Sequence, residues 1–178
     1  LVYQTSTDAY EERLYRAKMA GDKTKSDEIT EYLVKAKLGG DDPEKTLKGK
    51  INSKAVKDDE GDLQKRIAIL KDNGYSRMGS FAVDQYSEGK LSRTEAEKLY
   101  RDSNKKATDA TVYKAFDKAD YIKETGDEDV EWNSVYSRLY MAVDDNKSAE
   151  ITSAVEKMKK AGFKDKDIRS ELESHYKK

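Results

Sequence analysis

The chain contains no cysteine, one proline, one histidine and no long apolar run. Without cysteine there is no disulfide framework and no thiolate to act as nucleophile or ligand. No stretch approaches the ~18–20 apolar residues of a membrane span, and no basic-then-apolar leader opens the sequence. We therefore expect a protein that works without a membrane. A net charge of −1, from 35 basic and 36 acidic residues, lacks the basic excess usual in nucleic-acid binders. The first residue is Leu1 rather than Met, which reads as a processed product or a piece of a longer protein.

Chemical motifs are equally sparse. Neither a G-x-x-x-x-G-K-[ST] phosphate loop nor a G-x-G-x-x-G turn occurs. His175 has no second histidine to share a metal or a proton with, so a solvated or partly packed terminal side chain is its expected role. Asp22-x-Thr24-x-Ser26-x-Glu28 and Asp144-x-Asn146-x-Ser148-x-Glu150 alternate oxygen ligands like the first half of a calcium loop. Their sixth positions are Asp27 and Ala149 instead of Gly, and their twelfth are Leu33 and Val155 instead of Glu. Helix starts account for both runs. The acid pairs Asp41-Asp42, Asp58-Asp59 and Asp144-Asp145 lie in polar stretches and read as turn residues. The sequence calls for no cofactor, metal or catalytic group.

What is present is charge and helical spacing. Charged residues make up 40% and hydrophobic ones 35%, against roughly 25% and 45–50% in average domains. That supports a thin core of the kind helix pairs build, one buried stripe per helix. Apolar residues recur three and four apart almost throughout. The first helix is expected over 8–20, with Gly21 and Asp22 breaking it. Ser26 is the expected N-cap of the second, which carries Ile29, Leu33 and Ala36 and stops at Gly39-Gly40. Asp42-Pro43 starts a third, with Leu47, Ile51 and Ala55 inward. Leu63, Ile67 and Leu70 then lead to Gly74-Tyr75, and Ser76 can cap the helix of Met78, Phe81, Ala82 and Tyr86. Ser92-Arg-Thr-Glu95 is a capping box for a helix that breaks near Asn104. Asp109 is the expected cap of a helix ended by Gly126, and Trp132 opens the last group, which closes with Ile168, Leu172 and Tyr176.

Parts of the chain resemble each other. Ser26-x-Glu-Ile-Thr30 matches Ser148-x-Glu-Ile-Thr152 at a spacing of 122, and Arg13-Leu-Tyr15-x-Ala17 matches Arg138-Leu-Tyr140-x-Ala142 after a three-residue gap. Such recurrence marks a copied supersecondary unit. The expectation is an all-α fold in one domain, 1–178, with about ten short helices in four related helical-hairpin units near 1–52, 53–88, 89–127 and 128–178. These would form a stacked array or a compact bundle.

Twelve tyrosines outnumber three phenylalanines and one tryptophan. Several stand beside arginine, so Arg13, Tyr15, Arg16, Tyr100, Arg101, Arg138 and Tyr140 are the candidate interaction residues. Tyrosines of this kind can form rims of helix–helix contacts, with the ring buried and the hydroxyl wet. They can also build a protein interface, or stack single-stranded bases. The matched positions of Tyr15 and Tyr140 favour the first role.

The order Arg-Leu-Tyr-x-Ala, Asp-containing loop, Ser-x-Glu-Ile-Thr, Lys-rich helix, Gly, Ile-Arg-Ser-x-Leu, best over Arg138–Leu172, next over 13–51 and loosely in the middle, resembles degenerate helical repeats of tailed-bacteriophage proteins. The resemblance implies a virion-associated or accessory protein, in a host cytoplasm or on a virion, and carries over no catalytic residue. The function expected from the sequence is a non-enzymatic structural or protein-interaction module, through a protein partner or self-association. The alternative is a nucleic-acid-contacting accessory protein using the Tyr/Arg/Lys faces.

Overall fold

A computed structural model describes residues 2–36 and 41–177, with side chains from Thr7 onward. The described residues form ten α-helices and no strand. In order they are α1 (Val2–Met19), α2 (Lys23–Lys35), α3 (Pro43–Lys57), α4 (Leu63–Asp72), α5 (Met78–Ser87), α6 (Arg93–Ser103), α7 (Asp109–Thr125), α8 (Ser137–Asp144), α9 (Ser148–Lys160) and α10 (Asp165–Tyr176). They gather into two compact units, Leu1–Phe81 and Ala82–Lys178.

Several helix starts follow from their letters. Asp42 accepts the Lys45 N–H at 3.3 Å, and Pro43 follows at the first helical position, where its missing N–H costs nothing. At α6 the Ser92 hydroxyl accepts the Glu95 N–H while the Glu95 carboxylate accepts the Ser92 N–H, a complete capping box. Two starts differ from expectation. Asp22, not Ser26, caps α2 by accepting the Lys25 N–H at 3.1 Å, so Ser26 lies one turn inside and is buried. Thr108, not Asp109, caps α7 through the Thr111 N–H, and Asp109 becomes the first helical residue, an acid beside the positive end of the helix. Helix α1 begins well before residue 8. Trp132 is buried in the loop that precedes α8 rather than within a helix. The expected stop at Gly39-Gly40 lies outside the described residues.

In the first unit α1 packs against α2, α3 and α4, and α3 against α2 and α4. Its core is built from Leu14, Tyr15 and Ala17 of α1, Leu33 of α2, Leu47, Ile51 and Ala55 of α3, and Ile67, Ile69 and Leu70 of α4. Each large aliphatic side chain removed from water contributes about 1.5–3 kcal/mol. Arg66 is buried with them, completely. Its Nε donates to the Ala55 carbonyl at 2.7 Å and an Nη to the Val56 carbonyl at 2.9 Å, which serves the orphan carbonyls at the end of α3. The guanidinium also lies over the Phe81 ring.

In the second unit α6 packs on α7, α8 on α9, and α9 on α10. Tyr113 of α7 joins Leu139, Ala154, Met158 and Ile168 in one buried cluster, flanked by Val143, Ile151 and Phe163.

The α1–α2 and α8–α9 hairpins turn alike. Gly21 (φ +70°) and Asn146 (φ +53°) both adopt the left-handed conformation, 125 positions apart. At each turn two backbone bonds close a Schellman motif at 2.9–3.1 Å, from Gly21 and Asp22 to Lys18 and Ala17, and from Asn146 and Lys147 to Val143 and Ala142. The following helices begin at Lys23 and Ser148, again 125 apart. At that spacing the inward positions Ser26, Ile29, Thr30 and Leu33 fall on Ile151, Ala154, Val155 and Met158. The shared Ser-x-Glu-Ile-Thr letters, spaced by 122, are therefore three residues out of phase with the shared geometry. Three residues fall only about 60° short of a full helical turn. Ile29 and Ile151 are accordingly both half-buried although they do not occupy equivalent places.

Candidate functional site

The seven candidate interaction residues are mostly consumed by internal contacts. Tyr15 is buried and donates its hydroxyl to Asp58 Oδ2 at 2.7 Å. Burial, and then that bond, raise its pKa well above the ordinary tyrosine value. Arg16 pairs with Glu12 at 2.9 Å and approaches Asp58 at 3.8 Å. Arg13 is exposed and lies over the Tyr10 ring. On α6, Tyr100 sets its ring edge against Phe116 and Arg101 pairs with Asp109. On α8, Arg138 donates to the buried Asp117 at 3.0 Å and to Glu124 at 2.9 Å, with its guanidinium over the Tyr121 and Trp132 rings. Burial pushes the Asp117 carboxyl above the ordinary carboxylate value although Arg138 pulls the other way. Tyr140 donates to Glu171 Oε1 at 2.5 Å and stacks on His175 with ring centroids 3.8 Å apart. Tyr15 and Arg16 share Asp58; the residues on α6 and α8 join different local networks.

Four of the acids noted in the sequence also have structural partners. Asp22 and Asp42 cap helices, Asp58 receives Tyr15, and Asp144 accepts the Tyr176 hydroxyl at 2.7 Å. Among the described residues no three His, Cys, Asp or Glu side chains are placed to hold a metal ion.

A different place stands out for its unmet charge. Helix α3 has two cationic faces. Lys50 and Lys54 reach α1 and pair with Glu11 at 3.1 Å and Glu12 at 2.9 Å. A second face carries Lys45, Lys48, Gly49, Asn52, Ser53, Val56 and Lys57, and with the turn Asn73–Arg77 it lines an open groove of about 650 Å³. Among the described residues none of Lys45, Lys48, Lys57 and Arg77 has a carboxylate partner, and all four are exposed. Asn52 is only 8% exposed. Its side-chain carbonyl accepts the Asn73 amide at 3.1 Å, while its own side-chain amide meets no acceptor among the described residues. Asp42 and Glu44 stand at the end of the groove nearest the start of α3.

Gly49 sits mid-helix in this face. A glycine there costs about 1 kcal/mol relative to alanine. No positive φ requires it, and a Cβ built on it would meet nothing within 4 Å. Neither the helix nor its packing needs the missing side chain; the groove gains open floor from it.

These residues escaped the sequence reading because lysines on α3 look alike as letters. Only their partners, about forty positions upstream for Lys50 and Lys54, tell the two faces apart. The one local signal was a glycine inside a helical pattern with no turn to explain it.

No helix among the described residues is long and apolar enough to cross a membrane. Comparison with protein-family models, with curated proteins and with solved structures finds no match.

Proposed function

We propose that this chain is a non-enzymatic helical binding module that engages a protein partner through the groove beside α3. One observation carries the reading. Four cations without carboxylate partners among the described residues converge on a groove of about 650 Å³, three of them on a helix whose other lysines are paired. Most residues lining the groove are polar or charged, with Val56 and Tyr75 the apolar exceptions, which suits acidic side chains of a protein better than a small apolar ligand. The likeness of the order of motifs over Arg138–Leu172 to helical repeats of tailed-bacteriophage proteins supports a virion-associated or accessory setting for such a module.

The test is capture on the immobilised full chain, with a Lys45→Glu/Lys48→Glu/Arg77→Glu variant as control, followed by reconstitution with each purified candidate. A purified protein that binds the natural chain and not the variant supports the reading. If every protein bound by the natural chain is bound equally by the variant, the groove is not the interface and the reading fails.

A further inference from the structure

The second unit carries the counterpart of this groove. Between α7 and α8 the chain runs through Asp127, Glu128, Asp129 and Glu131, all exposed and none with a Lys or Arg partner among the described residues. The loop is fixed at both ends. Gly126 ends α7 in the left-handed conformation, its N–H on the Ile122 carbonyl, and Trp132 is buried. Within it the Asp127 N–H donates to the Thr125 hydroxyl and the Asp129 N–H to the Asp127 carboxylate, each at 3.2 Å. Four unpaired carboxylates are thus held out on an anchored loop.

We infer that the partner of the α3 groove is the 127–131 loop of a second copy of this chain, in head-to-tail self-association. This rests on the groove being a protein-binding site. In a chain with 35 basic and 36 acidic residues, these two clusters are complementary in sign, four cations in a groove whose own acids, Asp42 and Glu44, stand at one end, against four carboxylates. Their reach agrees as well. From Lys45 to Lys57 the helix rises roughly 18 Å, and five loop residues span at most roughly 17 Å. Asn52 adds uncharged donors for a carboxylate oxygen, and Gly49 leaves floor on which the loop's backbone can sit. Three of the four cations are lysines, point charges suited to a row of separate carboxylates rather than to bidentate capture of one phosphate. Because groove and loop are different surfaces, the contact is heterologous and adds copies one after another until a ring closes or a filament grows.

Sedimentation velocity of the full chain over a concentration series at low and high salt tests this. The expected result is a concentration-dependent ladder of species that retreats to monomer as salt rises. Lys48→Glu/Arg77→Glu and Asp127→Lys/Asp129→Lys are each expected to weaken association at least tenfold. The chain carrying all four changes is expected to recover it, because the signs match again. Gly49→Leu should weaken association with no change of charge and no loss of helix by circular dichroism. A chain that stays monomeric at every concentration in low salt overturns the inference, as does self-association that neither reversal weakens or that the combined variant fails to restore. Salt-sensitive binding of an oligothymidylate without self-association also overturns it. A groove-dependent complex with another purified protein, with the chain otherwise monomeric, overturns the self-association while leaving the binding-module reading in place.

Discussion

Gly21 and Asn146 hold the same left-handed turn at the same point of two helix pairs. Only one of them is the residue type that adopts it without steric cost. Gly21→Ala is expected to destabilise the chain by about 1–2 kcal/mol, because a Cβ is disfavoured at that φ. Asn146→Gly is expected to be neutral or stabilising by up to about 1 kcal/mol. Urea unfolding of both variants measures this, and destabilisation by Asn146→Gly would show that the asparagine side chain contributes something the turn geometry does not.

Arg66 offers a larger effect at a place where no function is expected. Arg66→Met leaves the Ala55 and Val56 carbonyls without their donors, a loss of about 2–3 kcal/mol. For a chain of this length that lowers the midpoint of thermal unfolding by roughly 4–12 °C. Arg66→Lys should recover little, since one ammonium cannot reproduce the two-pronged contact. A thermal melt by circular dichroism decides it.

Asp117 and Arg138 form a buried pair whose halves should not be separable. Arg138→Met abandons a carboxylate that is 2% exposed, which costs about 3–5 kcal/mol. Asp117→Leu combined with Arg138→Met removes both charges and is expected to recover most of that loss. A double-mutant cycle in urea gives the coupling directly; two additive single effects would count against the pair.

High pH should weaken the fold through tyrosines that burial and acidic neighbours keep protonated. Burial, and then a hydrogen bond to Asp120, push Tyr86 from an ordinary 10.0 to about 12. Burial does the same to Tyr113, also to about 12. The unfolded chain loses these protons first. Their contribution is therefore complete below pH 10 and falls as pH rises through about 12. Denaturant midpoints measured across that interval should decline, with tyrosinate absorbance reporting the ionisation, and Tyr86→Phe should make the decline shallower.

The fold was legible wherever two local signals agreed. Asp42 with Pro43, and Ser92 with Glu95, begin helices where the letters say. Single signals were weaker. Ser26 looks like a cap but lies a turn inside α2, because Asp22 already caps it by accepting the Lys25 N–H. Thr108 displaces Asp109 in the same way. The groove was not legible, because whether a lysine is satisfied depends on residues far along the chain. Lys50 and Lys48 are neighbours in sequence and opposite in circumstance. At Tyr15 the ring is buried as in a packing residue but the hydroxyl is held by Asp58 rather than wet, and Tyr140 ends against His175.

The constant interval between the two hairpins fixes which of their residues are equivalent in place. Scoring by identical letters would pair Ser26 with Ser148 and displace every inward residue of the helix by most of a turn. Anchoring instead on the reversal at Gly21 and Asn146 keeps interior with interior.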